Sequence, residues 1–240
     1  MKYAFPPPTI PSVSVAGSEL KFPVHRIYCV GRNYADHARE MGFEPQSEPP
    51  FFFTKPADAV VADGASIPYA LATDNLHHEI ELVVALGKEG TNIERDAALE
   101  HVYGYAVGLD MTRRDLQFAA RDKGRPWDVS KAFDQSAPIG AIKLASDIGH
   151  PSSGAIRLEV NGATRQNADL EQLLCSVPDL IVELSKLFAL RPGDLLYTGT
   201  PAGVGPVKPG DELRGTIDGV GELTIFITAR EDPVSLVTAP

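Results

Sequence analysis

The stretch "NLHHEIELVVALGKEG", residues 75–90, decides the architecture. Its centre is an aliphatic run of strand length, and Glu79 and Glu81 interrupt it two positions apart. Successive strand side chains point to opposite faces, so both carboxylates project from one face while Ile80 and Leu82 take the other. Like charges side by side repel, and burial makes that costly unless a cation sits between them. Two readings stay open for the segment alone: a solvated face, the default for half-exposed strands, and a cation site.

Around this strand, "HRIYCVGRN" (25–33) predicts a strand feeding a loop, and "YADHAREMG" (34–42) a short helix closed by Gly42. "FEPQSEPP" (43–50) reads as a loop and "FFFTKPADAVV" (51–61) as a return to strand. "IERDAALEHVYG" is helical to about His101, "VYGYAVGLDM" is a strand, and "TRRDLQFAARDKG" is an amphipathic helix. "AIRLEVNGATRQN" is a hairpin turning at Asn161-Gly162. The longest helical pattern, "DLEQLLCSVPDLIVELSKLFALRPGD", is interrupted near Pro178, and short strands separated by Gly-rich turns close the chain. Irregular interleaving without a repeat predicts an α+β fold dominated by antiparallel or mixed sheet. Residues 1–22 form a Pro-rich arm lying on the surface or on a partner subunit, and residues 23–240 a single catalytic domain.

The 240 residues carry a formal net charge of −10. That balance argues against nucleic acid and against an anionic membrane surface. No apolar run approaches the roughly 20 residues of a membrane span, and prolines stand where a signal peptide needs its apolar segment. The two cysteines, Cys29 and Cys175, are far apart in apolar settings and read as free thiols of a cytoplasmic protein. No G-x-G-x-x-G follows a first strand, so a dinucleotide fold is not expected.

Asp110 ends a second apolar strand abruptly, and a third carboxylate beside the glutamate pair makes an all-oxygen pocket. Mg²⁺, Mn²⁺ or Ca²⁺ suits such ligands; His77 and His78 keep zinc as a less favoured alternative. His37 and Glu40 are i, i+3 neighbours of the predicted helix, either a water-activating dyad or a surface pair. The glycines on either side of that segment, Gly31 and Gly42, suit a movable lid. Lys131, between Trp127 and Phe133, either steadies an oxyanion or snorkels from a packed loop. "LLYTGTPAGVGPV" (195–207) offers backbone N–H groups to a small anion or is a plain turn cluster, and it lacks the signature of a nucleotide loop.

These blocks in this order resemble the fumarylacetoacetate hydrolase superfamily from about Ile27 to Ile227. The carriers are "YCVGRNYADHAREMG", "PPFFFTKPADAVV", "LHHEIELVVALGK", "GYAVGLDMTRRDLQ", "GRPWDVSKAFDQSAPIG" and "LLYTGTPAGVGPVKPGD". The resemblance implies a mixed β-sheet roll with peripheral short helices, commonly a homodimer. It implies Mg²⁺ or Mn²⁺ on Glu79, Glu81 and Asp110, a His37–Glu40 dyad on a lid helix, and Lys131 as the active-site lysine. Arg32, Arg114, Gln117, Gly199 and Thr200 would contact a small keto-acid substrate. Arg113 would either meet a far carboxylate or make a surface salt bridge. The implied activity is hydrolysis of a carbon–carbon bond in a 2,4-diketo acid, foremost fumarylpyruvate to fumarate and pyruvate. Alternatives within the family are general acylpyruvate hydrolysis, oxaloacetate decarboxylation, and isomerisation or decarboxylation of carboxymethyl-hydroxymuconate derivatives. A non-catalytic module with a metal staple is the rival from another class.

Overall fold

A computed structural model describes residues 2–42, 44 and 49–230. Most of the loop expected over residues 43–50, and residues 231–240, lie outside the described residues. The centre is a mixed eight-stranded sheet. Its strands run in the order Phe51–Lys55, Arg26–Gly31, Asp194–Tyr197, Ile80–Leu86, Val102–Leu109, Ala137–Ile139 and Val60–Ala62, with Lys143–Leu144 also paired to Val102–Leu109. The Arg26–Gly31/Asp194–Tyr197 and Ala137–Ile139/Val60–Ala62 pairs are parallel. A five-stranded sheet covers one face in the order Ala163–Asp169, Ala155–Val160, Glu212–Ile217, Gly221–Thr228 and Ser66–Pro68. The helices are short: α1 (Ala35–Glu40), α2 (Arg114–Asp122), α3 (Asp128–Lys131), α4 (Ala145–Ile148) and α5 (Val177–Leu187). This is the expected mixed, curled sheet with few short helices.

Ile80–Leu86 is buried along its whole length because both faces are covered. Ile80, Leu82, Val84 and Leu86 pack into the main core with Leu158, Leu213 and Ile225, while Val83 and Ala85 join a second core with Ile27, Cys29 and Tyr197. Full burial of an aliphatic side chain contributes about 1.5–3 kcal/mol, so this strand is the stable frame on which buried charge can be held.

Three expectations change. "LHHEIELVVAL" is two strands, since the chain leaves a small sheet (Leu76–His78) and enters the large one at Ile80, with Glu79 at the switch. Pro178 opens α5 rather than interrupting it, because a missing N–H costs nothing in a helix's first turn. The N-terminal segment is not wholly a surface arm: Ser12–Ser14 and Lys21–Pro23 form a hairpin that buries Val13, Val15 and Phe22 in the second core. Residues 2–10 are exposed. The Asn161-Gly162 hairpin forms as expected, both residues taking positive φ (52° and 74°). Cys29 is buried, Cys175 is half-buried, and both are free. No helix of the described residues is long and apolar enough to cross a membrane.

Candidate metal centre and catalytic pocket

The antiparallel register sets Ile80 opposite Leu109 and Glu81 opposite Gly108, which brings Asp110 beside Glu79. The Asp110 N–H donates to the Glu79 carbonyl at 2.8 Å. Glu79, Glu81 and Asp110 each direct one carboxylate oxygen into a group within 4.8 Å of one another. All three are buried, at 4%, 1% and 0% exposure, which removes the solvated-face reading.

Three buried cations balance the three acids, but unevenly. Lys131 Nζ donates to Glu79 Oε2 at 2.7 Å and to Asp110 Oδ2 at 2.6 Å. Arg114 Nη2 pairs with Glu79 Oε1. Lys55 Nζ lies 2.8 Å from Asp110 Oδ1, in a geometry that leaves that oxygen without a well-formed hydrogen bond. Glu81 has no cation partner; its Oε2 accepts only the Gly199 N–H, at 2.7 Å. The carboxyl groups therefore diverge. Burial raises Glu79, yet the charges of Lys131 and Arg114 outweigh it and hold the group well below the usual range. Burial pushes Glu81 well above that range, and neighbouring Asp110 and Glu79 push it further.

A divalent cation fits this site. One carboxyl lacks charge compensation, another has an oxygen without a good donor, and the donor set is all oxygen, suited to hard cations. Zinc is not supported by the neighbouring histidines. His77 Nε2 bonds Asn75 Oδ1 at 2.9 Å and its Nδ1 accepts from Arg114 Nε at 3.4 Å, while burial and Arg114 drop its pKa to about 4. His78 Nδ1 faces Gln166 Oε1 at 3.1 Å. Among the described residues neither joins the acidic group.

Lys131 is thus not a lysine held only among apolar groups. Two of its three N–H bonds go to carboxylates, and one remains for a substrate oxygen. Attraction to Asp110 and Glu79 overcomes the cost of burial and raises its pKa.

His37 and Glu40 are paired on α1, with Nδ1 3.2 Å from Oε2. Burial favours the protonated Glu40 acid, but hydrogen bonds from His37 and the Gly203 N–H reverse this and lower its pKa. The Gly203 N–H reaches both Glu40 oxygens, at 3.1 and 3.2 Å, so the Gly-rich loop anchors the dyad. Gly203 has φ +96°, and a side chain there would collide with the Arg165 carbonyl, so no other residue brings its N–H this close. In the same loop the Gly199 N–H, expected to meet substrate, is directed instead at Glu81.

Two residues the sequence reading missed complete the site. Lys55 is 3% exposed and also donates to the Met111 (3.1 Å) and Lys131 carbonyls, tying the strand Phe51–Lys55 to both flanks of the acidic group. Gln166 is fully buried. Its Oε1 accepts the Ile80 N–H at 3.0 Å, and its Nε2 donates to Thr200 Oγ1 and the Pro201 carbonyl, both at 2.8 Å. It replaces a ladder bond where the chain switches sheets between the two glutamates. A strand residue among exposed neighbours gives no sequence signal of this.

One pocket collects Arg32, His37, the three acids, Arg114, Gln117, Lys131 and Thr200. Arg114 and Gln117 bond each other on one face of α2. Arg113 is not among the pocket residues: its guanidinium stacks on Phe133 at 4.4 Å and donates to the Val129 carbonyl at 3.1 Å. Arg32, at φ +60°, stacks on Phe51 at 5.4 Å.

Comparison with known proteins agrees with this geometry. A fumarylpyruvate hydrolase of Ralstonia sp is 45% identical over 184 residues, covering 77% of this chain and 95% of that protein. The mitochondrial oxaloacetate tautomerase FAHD1 of Mus musculus is 45% identical over 205 residues, covering 85% and 92%. The crystal structure of fumarylpyruvate hydrolase from Pseudomonas aeruginosa, in complex with Mn²⁺ and pyruvate, superposes with a TM-score of 0.93 at 55% identity, covering 95% of this chain and 100% of that one. Residues 26–228 match the family described as fumarylacetoacetate (FAA) hydrolase C-terminal, and the chain belongs to that family.

Proposed function

We propose that this protein hydrolyses fumarylpyruvate to fumarate and pyruvate with a divalent cation, Mg²⁺ or Mn²⁺, on Glu79, Glu81 and Asp110. The observation that carries the reading is a buried, under-compensated acidic triad sharing one pocket with an imidazole–carboxylate pair. The relatives named fumarylpyruvate hydrolase support the choice of substrate.

When bound, the cation supplies Lewis-acid stabilisation for negative charge developing on the keto-acid half, worth several kcal/mol. The chain's own groups do the rest. His37 donates Nδ1–H to Glu40, which leaves Nε2 as the base that takes a proton from water. Water attacks the ketone farther from the pyruvate carboxylate, the bond between that carbon and the methylene breaks, and the pyruvate carbon regains a proton. The remaining N–H of Lys131 donates to the oxyanion at the attacked carbon. Arg114, Gln117 and Thr200 orient the keto acid so that attack is effectively unimolecular. Gln166 donates to Thr200 Oγ1, which turns the threonine's own O–H outward as a donor for a carboxylate. Free thiols at Cys29 and Cys175 suit a cytoplasmic enzyme, and the family resemblance supports a homodimer.

The tautomerase relative favours a second reading, in which the same pocket moves a proton within oxaloacetate and uses no water. Purified protein with Mg²⁺ or Mn²⁺ is expected to turn over fumarylpyruvate faster than acetopyruvate, and either diketo acid faster than it tautomerises or decarboxylates oxaloacetate. Rapid tautomerisation of oxaloacetate with no hydrolysis of either diketo acid overturns the proposal.

A further inference from the structure

The pocket contains an arginine to which neither the metal centre nor the dyad gives a task. Arg114, Gln117, Phe118 and Arg121 all line it, at i, i+3, i+4 and i+7 on one face of α2. A helix rises 1.5 Å per residue, so Arg121 lies about 10 Å along the axis from Arg114. Arg114 is 2% exposed on the floor beside Glu79, whereas the Arg121 side chain is 34% exposed at the rim. The face therefore runs from the metal centre to solvent over a distance comparable to an extended seven-carbon dicarboxylate.

We infer that Arg121 receives a second carboxylate at the far end of the acyl group, so that the pocket selects acylpyruvates whose acyl chain is itself an acid. This rests on the hydrolase reading and assigns its substrate class to a residue. The Arg121 guanidinium stacks on Phe118, 4.7 Å from the ring centroid, which leaves its N–H edge for a planar carboxylate. Its present partner is Asp122, its chain neighbour, at 3.0 Å and 63% exposed. So solvated a pair is weak and yields readily to a ligand. Between floor and rim the walls are Phe53 and Trp127, an apolar slot for a flat, unsaturated link. Arg32 lines the pocket as well.

Formal charge agrees. The lining holds three carboxylates against Arg32, Arg114, Arg121 and Lys131, one net positive charge before a divalent ion is added and three after. In a chain of net charge −10 this is a local cationic well. A dianionic substrate neutralises more of it than a monoanion does. Arg113, the other arginine considered for this task, is stacked on Phe133 away from the pocket.

The test compares fumarylpyruvate with acetopyruvate, which lacks the far carboxylate, in wild type, Arg121→Met and Arg121→Lys. Arg121→Met is expected to lower kcat/KM for fumarylpyruvate about tenfold more than for acetopyruvate, chiefly through KM, and Arg121→Lys to keep most of the preference. A binding readout stands apart from turnover: calorimetry of the Mn²⁺-loaded protein with fumarate and with crotonate, the same skeleton less one carboxylate. Wild type should prefer fumarate, and Arg121→Met should erase the preference. Equal losses on both substrates, a wild type blind to the difference, or a preference lost in Arg32→Met but kept in Arg121→Met overturns the assignment. A wild type that hydrolyses neither substrate yet shows the Arg121-dependent preference for fumarate sinks the hydrolase reading and upholds the carboxylate receptor.

Discussion

Glu81→Gln is expected to cut turnover by about a thousandfold or more, the rate equivalent of several kcal/mol of lost charge stabilisation, while the metal-free protein melts no lower than wild type. The two outcomes have one cause. Glu81 is the acid without a cation partner, and burial beside Asp110 and Glu79 disfavours its charged form. An amide can still accept the Gly199 N–H and adds no repulsion, so the scaffold loses nothing when the carboxylate goes. Asp110→Asn is the informative contrast. It weakens the ion pairs of both Lys131 and Lys55 and leaves buried ammonium groups under-compensated, which costs about 3–5 kcal/mol when a buried pair is broken. Steady-state kinetics and thermal melts in a chelator measure both effects. Full activity in Glu81→Gln removes the cation from the account.

His37→Asn should lower hydrolysis about 10²–10⁴-fold, the usual range for a lost general base, and leave oxalate inhibition within a few-fold of wild type. Oxalate resembles the pyruvate enolate and occupies the acidic, Arg114 end of the pocket, whereas His37 acts on water. Asparagine is short enough to be held on α1, where Glu40 remains anchored by the Gly203 N–H. The check is a pair of constants, kcat on fumarylpyruvate and Ki for oxalate. Parallel loss of both makes His37 a structural residue of the lid helix.

The site was legible where local periodicity carries it. Glu79 and Glu81 share a side because alternation dictates it, and Asp110 stands out because it ends an apolar strand. His37 and Glu40 meet because helical residues three apart share a face. What stayed hidden depends on distant contacts. Lys55, in "FFFTKP", reads as an ordinary strand lysine, and only the fold points its ammonium at Asp110. Gln166 sits in a hairpin with exposed neighbours on its N-terminal side, and its partners Ile80 and Thr200 come from remote segments. The sheet switch at Glu79 was invisible for a related reason. A buried side-chain amide substitutes there for a ladder bond, so no turn residue marks the break. The N-terminal hairpin was masked by prolines that suggest an arm, although Val13, Val15 and Phe22 supply an inward-facing pattern. Lys131 was picked out correctly as a pocket residue, but its aromatic neighbours in sequence disguised a lysine whose main partners are two acids.

Glu81 also sets how metal binding depends on pH. Its pKa is raised on folding, so the proton it holds stabilises the metal-free protein below the ordinary glutamate range, and that stability is lost as pH rises. A cation must expel this proton, so binding weakens as pH falls, by up to about tenfold per unit below the raised value. Calorimetric titration of metal-stripped protein with Mn²⁺ at a series of pH values reads this directly. One ion per chain, held more tightly at each higher pH, is the predicted result; no saturable binding, or an affinity indifferent to pH, contradicts the claim that these three buried oxygens close around a single hard cation.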